Sequence, residues 1–203
     1  MRQTVLPALL LLVLISGCTT IRETQPSHTA REQLLLSSAA DRASEHIAPT
    51  VPRGNSIFVD VNNFGSGNDY QSQYAINAVK TALLRRGYRL APNADKADTI
   101  AMASSGAPSI DETEKLLGVP DYSIPIPFSG ALDTPEVALW KSKNRTGVAK
   151  FLLTYYDAKT GILQDASEPV YGFSNYNRGT ILFYPYTEND ILPPDAEKRS
   201  PPR

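Results

Sequence analysis

The chain has 203 residues, with 20 Lys and Arg against 21 Asp and Glu and a net charge of −1. So balanced a charge creates no field that would draw nucleic acid, and no nucleic-acid partner is expected. One cysteine and two histidines, His28 and His46, leave the body of the chain without a disulfide framework, the usual zinc sites or a His-based triad, so no metal and no cofactor are expected.

In chain order, Arg2 and the amino terminus precede an apolar run from Val5 to Ile15 that is broken by Pro7, and Ser16 and Gly17 stand directly before Cys18. Charged, then apolar, then small is the order of a signal peptide. The run is too short for a bilayer, which takes roughly 20 residues. Ile15-Ser16-Gly17-Cys18 resembles the lipobox of bacterial lipoproteins. In that family diacylglycerol alkylates the thiol, the chain is cut at the Gly17–Cys18 bond, and the new amino terminus is acylated. The resemblance implies lipidation of Cys18 and a membrane partner through that anchor. The alternative is an ordinary secretory signal followed by a free cysteine. Each buried methylene contributes about 0.8 kcal/mol, so several acyl chains hold a protein to the membrane stably. Thr19, not aspartate, follows the cysteine. By the sorting rule of Gram-negative lipoproteins, this implies the outer membrane, facing the periplasm.

Residues 1–17 are thus expected as signal peptide, 18–28 as lipidated tether, 29–192 as a single periplasmic domain, and 193–203 as a disordered, proline-rich tail. Thr29 and Glu32 fit a capping box, opening a helix from about Ala30 to His46 with Leu35, Ala39, Ala43 and Ile47 on one face. "NSIFVDVNNF" (55–64) alternates Ile57, Val59 and Val61 with polar residues and predicts a strand. "GSGND" then leads to a long helix over 70–86, with Ile76, Val79 and Leu83 as its stripe and Gly87 closing it. Tyr88–Ala91 and Thr99–Ser104 read as strands. Ser109 and Glu112 fit a second box and predict a short helix ending at Gly118. Residues 119–130 carry three prolines and read as a loop. Thr134-Pro135 predicts another short helix, bearing Trp140. The last third reads as β: 150–163 with a glycine-late loop at Asp157–Gly161, then Val170–Tyr176 and Thr180–Tyr184. The fold class is α+β: a mixed sheet with the long helix on one face and a β-rich C-terminal part.

Four stretches carry candidate sites. "FGSGNDY" has Gly65 and Gly67 of a phosphate-type loop but Tyr70 at the third position; a helix N-terminus can hold an anion, and the same residues also suit a tight connection. Asp111, Glu112 and Glu114 would suit acid/base chemistry, or merely the first turn of a helix. "WKSKNR" (140–145) sets Trp140 beside Lys141, Lys143 and Arg145, as for a sugar phosphate or lipid headgroup, or as a solvated helix end. Six of the ten tyrosines fall between Tyr155 and Tyr186. Tyrosine supplies binding area at low entropy cost, and strand cores use it as well. Tyr156, Tyr176, Tyr184 and Trp140 are the binding candidates from these stretches.

"SIFVDVNNF", "LLRRGYRLAP" and "DKADTIAM" together resemble a small α/β envelope domain. It occurs in the curli secretion channel subunit, the lipoprotein activators of penicillin-binding proteins and the N-terminal domain of the Tol–Pal propeller protein. "TAREQLLLSSAADRA", "DETEKLLGVP" and "GVAKFLLTYYDAKTG" look like a family of bacterial lipoproteins with no assigned function. The alternating runs are about seven residues, shorter than the 9–11 a membrane strand needs, which argues against a curli-type pore. The expectation is a membrane-anchored, non-enzymatic binding or assembly module of the envelope. Its partners would be an envelope protein, peptidoglycan or a second copy of the chain. The alternatives are a cell-wall hydrolase and an oligomeric secretion component.

Overall fold

The structure, a computed structural model, describes residues 29–65, 70–126 and 130–192. The expected signal peptide, Cys18, the expected tether, residues 66–69 of the glycine loop and the expected tail from 193 lie outside the described residues.

Helix α1 spans Ala30–Glu45 and opens with both halves of the expected box. The Thr29 amide donates to Glu32 Oε2 at 2.8 Å, and the Glu32 amide donates to Thr29 Oγ1 at 3.3 Å. Strand β1 is Ser56–Asp60, buried at alternate residues. Helix α2 spans Tyr70–Arg85. Gly87 follows it at φ +89°, a conformation that costs glycine nothing. Strand β2 is Arg89–Leu90, and a 3-10 turn at Ala94–Lys96 leads to β3.

From here the structure departs from the sequence reading. Strand β3 runs unbroken from Thr99 to Val119, 21 residues, and β6 from Val137 to Asp157, also 21. The helix expected over 109–118 is the outer half of β3, and the helix expected at Thr134 is replaced by the approach to β6, with Trp140 on the strand. Good helix formers such as Glu114, Lys115 and Leu116 are overridden because Ser109–Val119 pairs antiparallel with Val137–Val148. The loop expected over 119–130 contains β4, Tyr122–Ile126, paired with β5, Gly130–Thr134. Pro125 is tolerated there because a two-stranded ribbon has only edges.

Asp157–Gly161 turns the chain into β7, Leu163–Ala166. The two strands expected at 170–176 and 180–184 are one strand, β8 (Val170–Ile181), followed by β9 (Tyr184–Asn189). The sheet order is β2-β1-β3-β6-β8-β9, with β7 beside the inner end of β6. Only the β1 pairings are parallel. The protein is therefore a strand-rich, mixed α/β fold built on a mixed sheet with two α-helices among the described residues.

One sheet face is covered. Ala39, Ala43 and Ile47 of α1 and Ile76, Val79 and Leu83 of α2 pack with Ile57, Ala101, Phe151, Leu153 and Tyr155 in one core. Each fully buried large side chain contributes about 1.5–3 kcal/mol. Two glycines let α1 lie directly on the strands. A Cβ on Gly172 would stand 2.0 Å from the Ala39 carbonyl oxygen, and one on Gly147 would stand 2.8 Å from that of Leu35. Buried Ser174 donates to the Leu35 carbonyl at 2.7 Å. Ile191, near the end of the expected domain, is buried against Leu35 and Tyr176.

β1 pairs with β3 only as far as Met102. Beyond that point β3, β6, β8 and β9 project as a four-stranded arm. Its open edges, among the described residues, are β3 and β9.

Candidate functional site

Strand alternation splits "WKSKNR" between the two faces of the arm. Lys141, Lys143 and Arg145 fall on the α1 side, level with Leu116, Glu114 and Glu112 of β3. There they form a ladder of ion pairs: Lys143 Nζ to Glu112 Oε1 at 2.6 Å, Arg145 Nε to Glu112 Oε2 at 2.7 Å, Lys141 Nζ to Glu114 Oε1 at 2.9 Å and to Glu136 Oε2 at 2.8 Å. Hydrogen bonds from Lys143 and Arg145 hold the Glu112 carboxyl below its ordinary pKa, and those to Glu136 and Glu114 raise that of Lys141. Charges fixed in this way are poor proton shuttles near neutral pH. Asp111 lies on the opposite face, level with Thr146.

The other half of the motif builds a cleft. Trp140, Ser142 and Asn144 face the side that no helix among the described residues covers, level with Ile181, Gly179 and Asn177 of β8. With Thr113, Lys115, Asn175, Glu188, Asn189 and Asp190 they line a depression of about 640 Å³. Its floor is a hydrogen-bonded lattice: Ser142 Oγ donates to Asn177 Oδ1 at 2.8 Å, and Thr146 Oγ1 to Asn175 Oδ1 at 3.0 Å. The Tyr186 ring lies over Gly179, where an added Cβ would meet it at 2.3 Å. The outer wall is aromatic, the floor amide and hydroxyl.

Asp190 closes the inner end of the cleft. Arg42 of α1 donates to its carboxylate at 3.0 Å and to its carbonyl at 2.8 Å, and the Asn175 amide donates to it at 2.7 Å. Partial burial opposes ionisation, but the Arg42 and Asn175 hydrogen bonds outweigh it and leave the pKa below the usual aspartate range.

The four aromatic candidates do not form one site. Trp140 lines the cleft. Tyr184 is exposed on the same face, across Ile181 from Trp140. Tyr156 shares that face but sits at the far end, opposite Leu163 of β7. Tyr176 is buried on the α1 side, with Arg31 over its ring at 5.1 Å; its place in a binding face is corrected to the core. Asn144, Asn175 and Asn177 were missed. The period-two spacing of Ser142 with Asn144, and of Asn175 with Asn177, was the available signal. Among the described residues, no three His, Cys, Asp or Glu side chains gather as metal ligands.

A family profile matches residues 12–170 of the chain. The chain belongs to a family of unknown function, DUF6655. The DUF6655 match begins inside the apolar run Val5 to Ile15, takes in Cys18 and Trp140–Asn144, and stops at the first residue of β8. Half of the cleft wall therefore lies beyond it. No curated protein matches the chain.

Proposed function

We propose that this chain is a non-enzymatic binding module of the bacterial cell envelope. It is held at the outer membrane by lipid on Cys18, and the cleft on the uncovered face of the arm takes the partner. The observation that carries this reading is the lining: amide and hydroxyl side chains at period two beside Trp140, with Lys115, Glu188 and the Arg42-bound Asp190 among them, the Tyr186 ring over neighbouring Gly179, and the nearby Glu112 and Glu114 engaged by bases on the other face. Such a surface suits a hydroxyl-rich ligand: aromatic rings cover the apolar faces of sugar rings, and amides exchange hydrogen bonds with hydroxyls. Peptidoglycan glycan is the first candidate, and an extended segment of an envelope protein the second. Anchoring raises the local concentration of the module, so modest affinity suffices.

The only tryptophan of the chain is Trp140, so its fluorescence reports the cleft directly. Titration with soluble peptidoglycan fragments is expected to give a saturable change that Asn177→Ala weakens. A flat response from folded protein would sink the glycan reading.

A second reading, an oligomeric assembly component, is favoured by one feature: β3 and β6 are three times longer than the alternating runs suggested, and both arm edges are open among the described residues. The length objection to a membrane strand is thereby withdrawn. A chemical objection replaces it. One arm face carries the Glu112–Lys143–Arg145 ladder and the other the Asn–Ser lattice. A charge facing lipid at the midplane costs roughly 2–4 kcal/mol. No helix among the described residues is long and apolar enough to cross a membrane.

A further inference from the structure

The free end of the arm has its own chemistry. Leu117, Leu139, Ile181 and Leu182 are more than half exposed there, Phe183 is 91% exposed and Tyr184 79%. Leu182 holds φ +55°, a conformation that turns normally give to glycine or asparagine. Its amide donates to the Leu139 carbonyl at 2.8 Å, which ties the β8–β9 turn to β6. A turn of Leu and Phe, strained and open to water, favours neither the folded state nor solubility.

Inward from this end the side chains follow an order. From the β8–β9 turn, Leu182 and Phe183 come first, then Trp140 and Tyr184 one pair back, then Lys115, Ser142 and Tyr186, then Asn144, Asn177 and Glu188; β3 and β6 run past the turn to the pair Val119 and Val137, both more than half exposed, and then into the β4–β5 ribbon. At about 3.3 Å per residue, Phe183 to Tyr186 covers roughly 10 Å. That is the depth to which an apolar surface enters a bilayer boundary, with Trp and Tyr at headgroup level behind it.

The entry of the chain points to the same end. Successive α1 residues track β8 outward: Ala39 and Ala43 over Gly172, Leu35 at Ser174, Arg31 over Tyr176. The N-terminus of α1 is therefore directed toward the arm's free end, and Tyr176 to Leu182 covers roughly 20 Å at strand rise. The 11 residues 18–28, fully extended, reach at most about 40 Å. An anchor at Cys18 and the arm's end can meet one membrane surface together.

We infer that the free end of the arm docks on the lipid bilayer, with Leu182 and Phe183 entering the acyl boundary of the leaflet that holds the Cys18 anchor. The inference rests on the lipidation of Cys18. It sets the cleft just above the headgroups and turns the Asp157–Gly161 loop away from the membrane.

The test uses the full, processed chain. Phe183→Cys and, as control at the opposite end of β6, Lys159→Cys are labelled with an environment-sensitive fluorophore; lipidation leaves no other thiol. The proteins are reconstituted in vesicles of phosphatidylethanolamine and phosphatidylglycerol, with and without brominated acyl chains. Blue-shifted emission at 183, lost to the brominated lipid, with position 159 unaffected, is expected. Water-like emission at both positions, with the lipid mass present on the unsubstituted protein, would overturn the docking and leave the anchor standing. An unsubstituted protein that accepts the label at Cys18 and lacks the lipid mass would overturn both. A blue shift that persists in detergent, with 183-to-183 crosslinks, would assign the surface to a second copy and overturn the inference.

Discussion

The same two strands, β3 and β6, run through two unlike regions. In the inner half, their α1-side residues Ala101, Phe151, Leu153 and Tyr155 are buried. In the outer half, the same face carries Glu112, Glu114, Lys143 and Arg145 in ion pairs, and the opposite face carries the cleft. Period two continues through β6, and in β3 a bulge between Gly106 and Ser109 shifts it by one residue so that the two strands stay in phase; the covering helix stops. A pleated ladder thus supplies a core where a helix lies over it and a polar surface where none does. The buried core of the molecule is concentrated in one half and the proposed recognition surface in the other.

That division can be broken or sharpened by substitution. The largest effect is expected at Gly172, where α1 sits on β8. Gly172→Val forces the helix off the sheet and should cost about 3 kcal/mol in a denaturant midpoint measurement. A comparable loss from any cleft substitution would break the comparison. Trp140→Ala should leave the midpoint nearly unchanged while weakening ligand binding roughly tenfold, as truncation of a central aromatic does.

Asp190 joins the halves and gives a pH signature. Its folded pKa is depressed, so its contribution to stability is present above the unfolded aspartate value of about 3.9 and is lost as pH falls through the lower folded value. Acid unfolding of the native chain should therefore steepen below about pH 4, and Asp190→Asn should flatten that slope. An unaltered slope would detach Asp190 from the α1–β9 junction.

The smallest effect belongs to Tyr155. Its hydroxyl is buried without a hydrogen-bond partner among the described residues, and burial raises its pKa. Tyr155→Phe removes an unsatisfied group and should be neutral or stabilising by up to about 1 kcal/mol, read by thermal unfolding.

The inner half was legible because its signals are local. Thr29 and Glu32 cap one helix, Ile57 and Val59 alternate, and Ile76, Val79 and Leu83 recur at helical spacing. The outer half was not. Ser109 to Gly118 has a box and helix-forming residues, while the partner that makes it a strand, Val137–Val148, lies far downstream. No local window contains the cross-strand pairing of Glu112 with Arg145. Trp140 was found because an aromatic beside bases is conspicuous. Asn175 and Asn177 were not, because amides on a strand read as ordinary solvated positions until the opposite strand brings Ser142 and Thr146 against them.

The measurement that tests the central claim most directly is site-specific photocrosslinking in intact cells making the full chain. One variant carries a photoreactive residue at Asn177, in the cleft; another carries it at Asn77, in the groove between the two helices. The account predicts a discrete adduct, glycan or protein, from position 177 and none from position 77. Adducts from position 77 alone would place recognition on the helical side and contradict it.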